Sequence, residues 1–535
     1  MPFSRRAFLG ATTAAGLAGL VRPIEPESLV QATLKQDRKI FRHGVASGDP
    51  LSDAVILWTR VSAPATATPD VIWEIATDTA FKRVVARGTT TTGAWRDFTV
   101  KIDATGLRAG TVYYYRFQAL GERSPVGRTK TLPASNAERV RLALASCSNY
   151  PYGFFNVYGR IAQRADLDAV LHLGDYIYEY ANGTYGDGIK LNRVSHPNRE
   201  IVALADYRAR HAQYKSDPDL QEVHRQHPFI VVWDDHEFAN NTWQHGAENH
   251  NPDKGDGDFA SRRAVAAQVF FEWMPIREDR ATRQPRIYRS FAFGGLADLI
   301  MLDTRLIGRD EQVARREDVA AVDDPNRSIM GRAQEEWLFA ELAESKRAGV
   351  RWQLLGQQVM FAPITRPGVT TASTDTWEGY RPSRQRVMNA IADQKLSNVV
   401  ILTGDVHSSW AYDVPMNPWD AYDASSGRGT VAIEIVTPAV TSPSGFGTPE
   451  QTAQRVEKVT KERPHLRYVE GVHRGYVVLD VTRERAQADW YFVPSVDQKN
   501  ATEEFAKGLV SAAGSPHLVT VGSPAAPKAT AADPA

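Results

Sequence analysis

The sequence predicts a layered α/β domain preceded by a small all-β sandwich. Three observations carry that expectation. Residues 38–132 hold short β-branched and aromatic runs separated by turn residues. From residue 138 onward, continuous apolar runs recur, each ending in polar residues, as strands buried on both faces do. Helical patterns lie between some of these runs, and alternating strands and helices argue for a layered α/β domain.

In the first region, residues 55–58, 71–75 and 98–102 are strand candidates. Tyr113, Tyr115 and Phe117 share one face of an alternating strand. Leu107, Gly110, Thr111 and Tyr113 resemble the tyrosine-corner region of fibronectin type III sandwiches. Pro133, after Thr129-Lys130-Thr131-Leu132, marks a linker. The second region spans 138–510. Its apolar runs fall at 142–145, 169–173, 230–233, 299–302, 353–355, 399–402 and 431–436. Residues 333–348 read as a helix, with Trp337, Leu338 and Leu342 apolar and Gly349 as its stop. Residues 181–229 read as a polar insertion with a helix around 206–214. No internal repeat is visible.

The ends differ from the middle. Ser4-Arg5-Arg6-Ala7-Phe8-Leu9-Gly10 precedes a small-residue apolar run that is too short to span a bilayer. A charged stretch before a short apolar one is a signal-peptide pattern. The paired arginines before Phe8-Leu9 resemble a twin-arginine export signal, placed at residues 1–32. That implies a folded protein exported to the periplasm or beyond, without a transmembrane anchor. Residues 511–535 are rich in Ala, Pro, Ser and Thr, and their composition predicts a disordered tail.

Composition narrows the function classes. The 535 residues suffice for a large core, and 42% hydrophobic with 24% charged residues excludes wholesale disorder, collagen and a coiled-coil rod. Lys+Arg 63 balances Asp+Glu 63, so no global basic field favours nucleic acid or an anionic membrane. The single cysteine excludes an intrachain disulfide.

Four strand ends carry metal-ligand residue types, where open α/β sheets bind ligands. They read Ala145-Ser146-Cys147-Ser148-Asn149, His172-Leu173-Gly174-Asp175-Tyr176-Ile177-Tyr178, Trp233-Asp234-Asp235-His236-Glu237 and Leu402-Thr403-Gly404-Asp405-Val406-His407. Each has an ordinary structural reading alone: an inert buried thiol, a turn, a helix cap. Four strands ending in thiol, carboxylate, phenol and imidazole together do not. A turn in Asp175-x-x-Tyr178 can bring both oxygens to one metal. Asp405-x-His407 puts both side chains on one face of an extended segment. Cys147, Asp175, Tyr178 and His407 make a mixed S/O/N set suited to a transition metal, and the phenolate favours Fe³⁺. Asp235, Asp405 and Asn241 are oxygen donors suited to Ca²⁺ or Mg²⁺.

This ordered set resembles the calcineurin-like metallophosphoesterase superfamily, in particular its PhoD-type alkaline phosphatase branch. Gly174-Asp175-x-x-Tyr178 is similar to the tyrosine-bearing form of the second motif. Trp233-Asp234-Asp235-His236-Glu237 stands where the superfamily has Gly-Asn-His-Glu, and Gly404-Asp405-Val406-His407 where it has Gly-His-x-His. Cys147 stands where most members have the first Asp. Gly44-Val45-Ala46-Ser47-Gly48-Asp49-Pro50, Leu302-Asp303-Thr304-Arg305 and Gly514-Ser515-Pro516-His517-Leu518 also fit the branch.

The resemblance implies an αββα-like metallophosphoesterase sandwich, with Fe³⁺ on Cys147, Asp175, Tyr178 and His407. It implies one or two Ca²⁺ near Asp175, Asp235 and Asp405, with Asn241 carried over as a further ligand. Zn²⁺ or Mn²⁺ alone is the less favoured alternative. One departure is the lack of a clear separate histidine for the second metal between the third and fourth motifs.

The expected activity is hydrolysis of phosphate esters by in-line attack of a metal-bound hydroxide. His236 is the candidate donor to the leaving oxygen, or else orients Asp235; Arg305 is a candidate bidentate clamp on the phosphate, ranked behind a structural pairing with Asp303. Glu237 is read as a support rather than a ligand, and Tyr176, Tyr180 and Trp410 as core. The alternative keeps the metals and changes the substrate: a phosphodiesterase or a phospholipase D-type activity. A non-catalytic adhesion role and an iron redox role rank behind both. The wall of the cleft, expected in 181–229 and 499–512, would separate monoester from lipid substrates.

Overall fold

The apolar runs of the sequence become strands of two large mixed sheets, and a third, smaller sheet covers one end. A computed structural model describes residues 39–278 and 286–528. The segment read as an export signal lies outside the described residues. Those from Ile40 onward belong to one compact unit.

The first part of the chain forms β1 (Val45–Gly48), β2 (Ala54–Arg60), β3 (Asp70–Ala76), β4 (Val84–Thr91), β5 (Thr99–Thr105), β6 (Val112–Ala119), β7 (Glu122–Arg123) and β8 (Gly127–Lys130). Next come β9 (Arg139–Ala145), α1 (Asn156–Ala162), β10 (Ala169–His172), α2 (Leu204–Tyr214), α3 (Pro218–Gln226), β11 (Pro228–Val231) and α4 (Phe259–Trp273). Then follow β12 (Arg289–Phe293), β13 (Ala297–Met301), α5 (Val319–Val322), α6 (Gly331–Arg347), β14 (Trp352–Gly356), α7 (Arg381–Asp393) and β15 (Val399–Thr403). The last part holds β16 (Ser409–Pro415), β17 (Thr430–Val436), α8 (Pro449–Glu462), β18 (Leu466–Glu470), β19 (Arg474–Thr482), β20 (Arg485–Val493), β21 (Glu504–Ala512) and β22 (Ser515–Val521).

The ten-stranded sheet runs β22-β21-β20-β19-β9-β10-β11-β1-β2-β5. The seven-stranded sheet runs β12-β13-β14-β15-β17-β16-β18. At the heart of each, strands lie parallel: β9, β10 and β11 in one, β13, β14, β15 and β17 in the other. Side-chain alternation along β15 shows how the layers stack. Val400 and Leu402 join the core that also holds Leu142, Leu144 and Leu171 of the other sheet. Val399 and Ile401 join a second cluster with Leu338 and Leu342 of α6 and Val387 and Ile391 of α7. The seven-stranded sheet is therefore buried on both faces, which explains why its strands read as unbroken apolar runs.

Two sequence expectations are corrected. The N-terminal β-region is not a separate body. β1, β2 and β5 extend the ten-stranded sheet through the parallel pairing of β1 with β11. That pairing satisfies an edge that would otherwise lie open. The other strands form the five-stranded sheet β4-β3-β6-β7, with β8 on β6. The two layers share a core around Leu57, Ile75, Tyr113 and Phe117. The backbone N–H of Arg108 donates to the Tyr113 hydroxyl at 2.8 Å.

The expected disordered tail is likewise ordered as far as it is described. β22 adds an edge strand to β21. Beyond it, the Ala525 N–H donates to Asp489 at 2.8 Å, and Arg141 donates to the Ala526 carbonyl at 2.6 Å. A segment with little apolar surface is held here by main-chain bonds and by charged groups of the body. The insertion at 181–229 contains α2, as expected, and also α3, which the polar composition hid. Asp217 caps α3 by accepting from the N–H groups of Asp219 and Leu220, with Pro218 opening the helix.

Truncation after Ala512 removes β22 and leaves the buried Arg141 and Asp489 short of partners. It is expected to lower the thermal midpoint by at least about 2 °C. Differential scanning fluorimetry checks this, and an unchanged midpoint would show that the segment adds nothing.

Candidate metal centre

All four sequence motifs emerge at the carboxyl ends of parallel strands. Cys147 follows β9, Asp175 follows β10, Asp235 follows β11 and Asp405 follows β15. The first three strands belong to one sheet and β15 to the other, so the site needs the two sheet ends to meet closely. Gly404 permits it, since a Cβ there would meet the Ser146 Cβ, beyond β9 of the other sheet, at 2.9 Å. Within the ten-stranded sheet, a Cβ on Gly174, at φ +105°, would meet the Asp234 Cβ at 2.4 Å. Cys147, Asp175, Asn241, Asp405 and His407 all adopt left-handed backbone, with φ between 51° and 63°. Such turns cost non-glycine residues about 1–3 kcal/mol each and persist where the surroundings fix them.

The residues fall into two neighbouring groups. Ligand-capable atoms of Cys147, Asp175 and His407 lie within 4.8 Å of one another, and so do those of Asp175, Asp235 and His236. Asp175 is common to both. Tyr178 joins the first group. Its hydroxyl donates to Asp175 Oδ2 at 2.9 Å, lies 3.2 Å from His407 Nε2, and accepts from Ser442 Oγ at 2.7 Å. Asp405 and Asn241 line the same cleft as Asp175 and Asp235. The Asn241 N–H donates to Asp235 Oδ2 at 2.6 Å, while its amide nitrogen donates to Glu248. This leaves its carbonyl oxygen as the atom it can offer a cation.

A buried frame holds these side chains. Glu237 accepts from the backbone N–H groups of Asp234 at 2.7 Å, Asp175 at 3.0 Å and Tyr176, tying the second motif to the third. Glu179 lies 2.7 Å from His236 Nδ1 and accepts from the Asn240 N–H. His236 thus keeps Nε2 for the cleft. Arg305 meets the phosphate-clamp expectation with a different arrangement. It is fully buried, and its donors go to Asp234, to both oxygens of Asp375 and to Asp405 Oδ1 at 2.7 Å. A guanidinium shared among carboxylates has no donor fork left to offer a substrate, so it acts here as a brace.

The electrostatics call for cations. Burial pushes the Asp405 carboxyl up to about 7 despite Arg305, and burial together with Asp175 pushes Glu237 to about 8. Burial, and then the negative field of Asp175, drives the Cys147 thiol and the Tyr178 phenol well above their usual ranges. Burial opposes the His236 imidazolium, but Glu179, Asp235 and Asp175 outweigh it. Asp175 Oδ1 and Asp234 Oδ2 are buried without any hydrogen-bond partner. Converging carboxylates with orphaned oxygens, beside a thiol, a phenol and imidazoles, fit metal cations. A coordinated cation would stabilise the ionised forms that burial now penalises.

Reading the sequence missed several contributors. Ser442 lies just beyond the end of the parallel strand β17, whose polar terminus was the available signal. Tyr180, read as core, lines the cleft together with Tyr185 from the insertion. Tyr176 and Trp410 are core, as expected. Asp375 sits in a loop remote in sequence, and no local pattern marks it.

The chain resembles known proteins over most of its length. The pattern of the PhoD-like phosphatase family matches residues 142–490, and that of the PhoD-like phosphatase N-terminal domain matches residues 28–133. Alkaline phosphatase D of Bacillus subtilis (strain 168) is 39% identical over 522 residues, covering 93% of this chain and 86% of that protein. A solved structure described as that of PhoD superposes with a TM-score of 0.82 at 37% identity, covering 91% of this chain and 93% of the other. On the extent of these matches, the chain belongs to the PhoD-like phosphatase family and is a phosphoric ester hydrolase.

Proposed function

We propose that the chain is an exported, metal-dependent phosphatase whose two metal positions share Asp175. The observation that carries this reading is the placement of Asp175 in both ligand groups, with one carboxylate oxygen buried and unpartnered. In this reading Cys147, Asp175, Tyr178 and His407 hold Fe³⁺, a donor set of thiolate, phenolate, imidazole and carboxylate. Asp175, Asp235, Asp405 and Asn241 offer oxygens for one or two Ca²⁺. The fold is read as an αββα-like metallophosphoesterase sandwich over residues 138–510, whose main sheet is extended by β1, β2 and β5 of the β-region at residues 38–132. Export rests on the twin-arginine pattern at residues 1–32. Among the described residues, no helix is long and apolar enough to cross a membrane.

Bound cations supply Lewis acidity, acidifying water and drawing charge from the phosphoryl oxygens. The protein's own groups do the rest. Glu179 fixes the His236 ring so that Nε2 can donate to the leaving oxygen. Glu237 keeps Asp175 in place through the backbone of its own turn, and Arg305 holds Asp405 through its side chain, so the carboxylates need not reorganise during the reaction.

The test is hydrolysis of a phosphate monoester by the purified protein before and after metal removal. Chelation is expected to abolish turnover, and iron with calcium to restore it. Undiminished turnover in metal-free protein would overturn the mechanism. Elemental analysis is expected to find iron and calcium, with a tyrosinate-to-iron charge-transfer band that disappears in Tyr178→Phe. Zinc or manganese alone, without that band, would sink the iron assignment.

A brace and a clamp behave differently on mutation. Arg305→Ala leaves several buried carboxylates short of their counter-charge and is expected to cost about 3–5 kcal/mol of stability in denaturant unfolding. A raised KM with unchanged stability would restore the clamp reading.

A further inference from the structure

Five basic side chains gather around the rings of Tyr176 and Trp273. They come from separate parts of the chain: His43 before β1, His172 at the end of β10, His211 in α2, Lys215 just after α2 and His224 in α3. The reaction as read above uses none of them.

Lys215 is the unusual member. It is 1% exposed. Its amine nitrogen lies 3.1 Å from His224 Nε2, 4.7 Å from the ring centre of Trp58 and 5.5 Å from that of Tyr176. The Tyr176 hydroxyl lies 2.8 Å from the same His224 Nε2. Among the described residues, no carboxylate pairs with Lys215. Asp217 and Glu237, whose charges reach the Tyr176 phenol, are engaged elsewhere. Asp217 holds Arg193 at 2.8 Å and caps α3, and Glu237 takes three backbone N–H groups.

A buried ammonium without a counter-charge is costly, and aromatic faces soften that cost without meeting it. Burial drives the Lys215 amine well below the usual lysine range. The histidines add no negative charge. Burial, and then positive neighbours that include Lys215, push His43, His172 and His211 down to about 3 and His224 well below its usual range. The cluster is stable when all five groups are uncharged.

Tyr176 joins this cluster to the turn that carries Asp175 and Tyr178. Its N–H donates to Glu237, its carbonyl accepts from Ser148 Oγ at 2.9 Å, and its hydroxyl meets His224. Whatever fixes the Tyr176 side chain therefore helps to fix the turn. We infer that Lys215 is a positioning residue: uncharged, it holds the Asp175–Tyr178 turn through His224 and Tyr176, and on taking up a proton it releases that turn. An ammonium needs hydration or a counter-ion, and Lys215 gains hydration when the packing around Tyr176 opens. Opening returns the amine to its ordinary range, about 10.4, so it takes up one proton. Each unit fall in pH then favours opening by up to about tenfold. The four histidines are mostly uncharged in open and closed forms above about pH 7.5, so that range isolates the lysine.

The experiment is hydrogen–deuterium exchange on the metal-loaded full chain at about pH 9 and about pH 7.5, corrected for intrinsic exchange. The segment of interest is Leu173–Tyr178, and α6 is the control. Wild type is expected to lose protection in Leu173–Tyr178 by at least about tenfold at the lower pH, with α6 constant within about threefold. Lys215→Met keeps the stem and removes the amine, and is expected to hold the loss in Leu173–Tyr178 within about threefold. Lys215→Arg stays charged throughout and is expected to leave that segment at least about tenfold less protected than wild type at the higher pH. A wild type whose protection stays within about threefold overturns the inference without recourse to any variant. So does an equal pH dependence in Lys215→Met, which would place the proton elsewhere, and so does an equal loss in α6, which would mark general unfolding.

Discussion

The structure turns on the cost of burying like charges together. Asp175, Asp234, Asp235 and Glu237 are nearly or fully enclosed, and the partly buried Asp375 and Asp405 join them at Arg305. Side by side in a medium of low polarisability, such groups cannot all stay ionised without positive charge among them. Arg305 supplies one charge, in contact with four of these carboxylates. It does not reach Asp175, which belongs to both ligand groups and keeps one oxygen without a hydrogen-bond partner. The arrangement is therefore coherent as a receptor for cations and costly as a bare protein core.

That constraint explains how the framework is built. The carboxylates are held by atoms that cannot leave. Glu237 reads three backbone N–H groups, Asp235 accepts from the N–H groups of His236 and Asn241, and Glu179 grips the loop at Asn240. Backbone donors are fixed once the strands are in register, so the geometry is inherited from the sheets rather than assembled by flexible side chains. The left-handed turns at five expected ligand positions follow from the same need. A strand that simply continued would carry its side chains away in alternation. A sharp turn keeps the thiol, carboxylates and imidazole at the strand ends, and the parallel cores of both sheets hold the strain.

Much of this was legible in the sequence because burial writes itself as pattern. Runs such as 142–145 and 399–402 lie in strands covered on both faces, and their polar endings mark the carboxyl edge. The four motifs could therefore be placed at strand ends from the sequence, and they follow β9, β10, β11 and β15. What was not legible came from contacts between distant segments. β1 pairs with β11, with Ser47 opposite Pro228, so the N-terminal β-region read as self-contained although β1, β2 and β5 extend the main sheet. Residues 511–528 read as tail because composition reports what a segment can bury by itself, and these residues are ordered by Asp489, Arg141 and an existing strand edge. Arg305 was located but its role was not, since Asp234, Asp375 and Asp405 are 71, 70 and 100 residues away.

The division of labour between sheets and insertion follows from these differences. Strand ends place Cys147, Asp175, Asp235 and Asp405 with the precision that coordination demands, and each is tied to buried neighbours. The segment after Glu179 leaves the frame and returns through α2 and α3; Asp217 caps α3, and the buried Arg210 and Arg193 tie the insertion to the carbonyls of Tyr178 and Tyr150. The strap carrying Tyr185 is joined to the frame by its hydroxyl, 3.1 Å from His407 Nδ1, and by its carbonyl, which accepts from Asn149. Asp175, Asp235, Asp405 and His407 also line the cleft, so the residues that hold charge shape access as well. A change at Arg305 or Glu237 alters whether those charges can be held together at all.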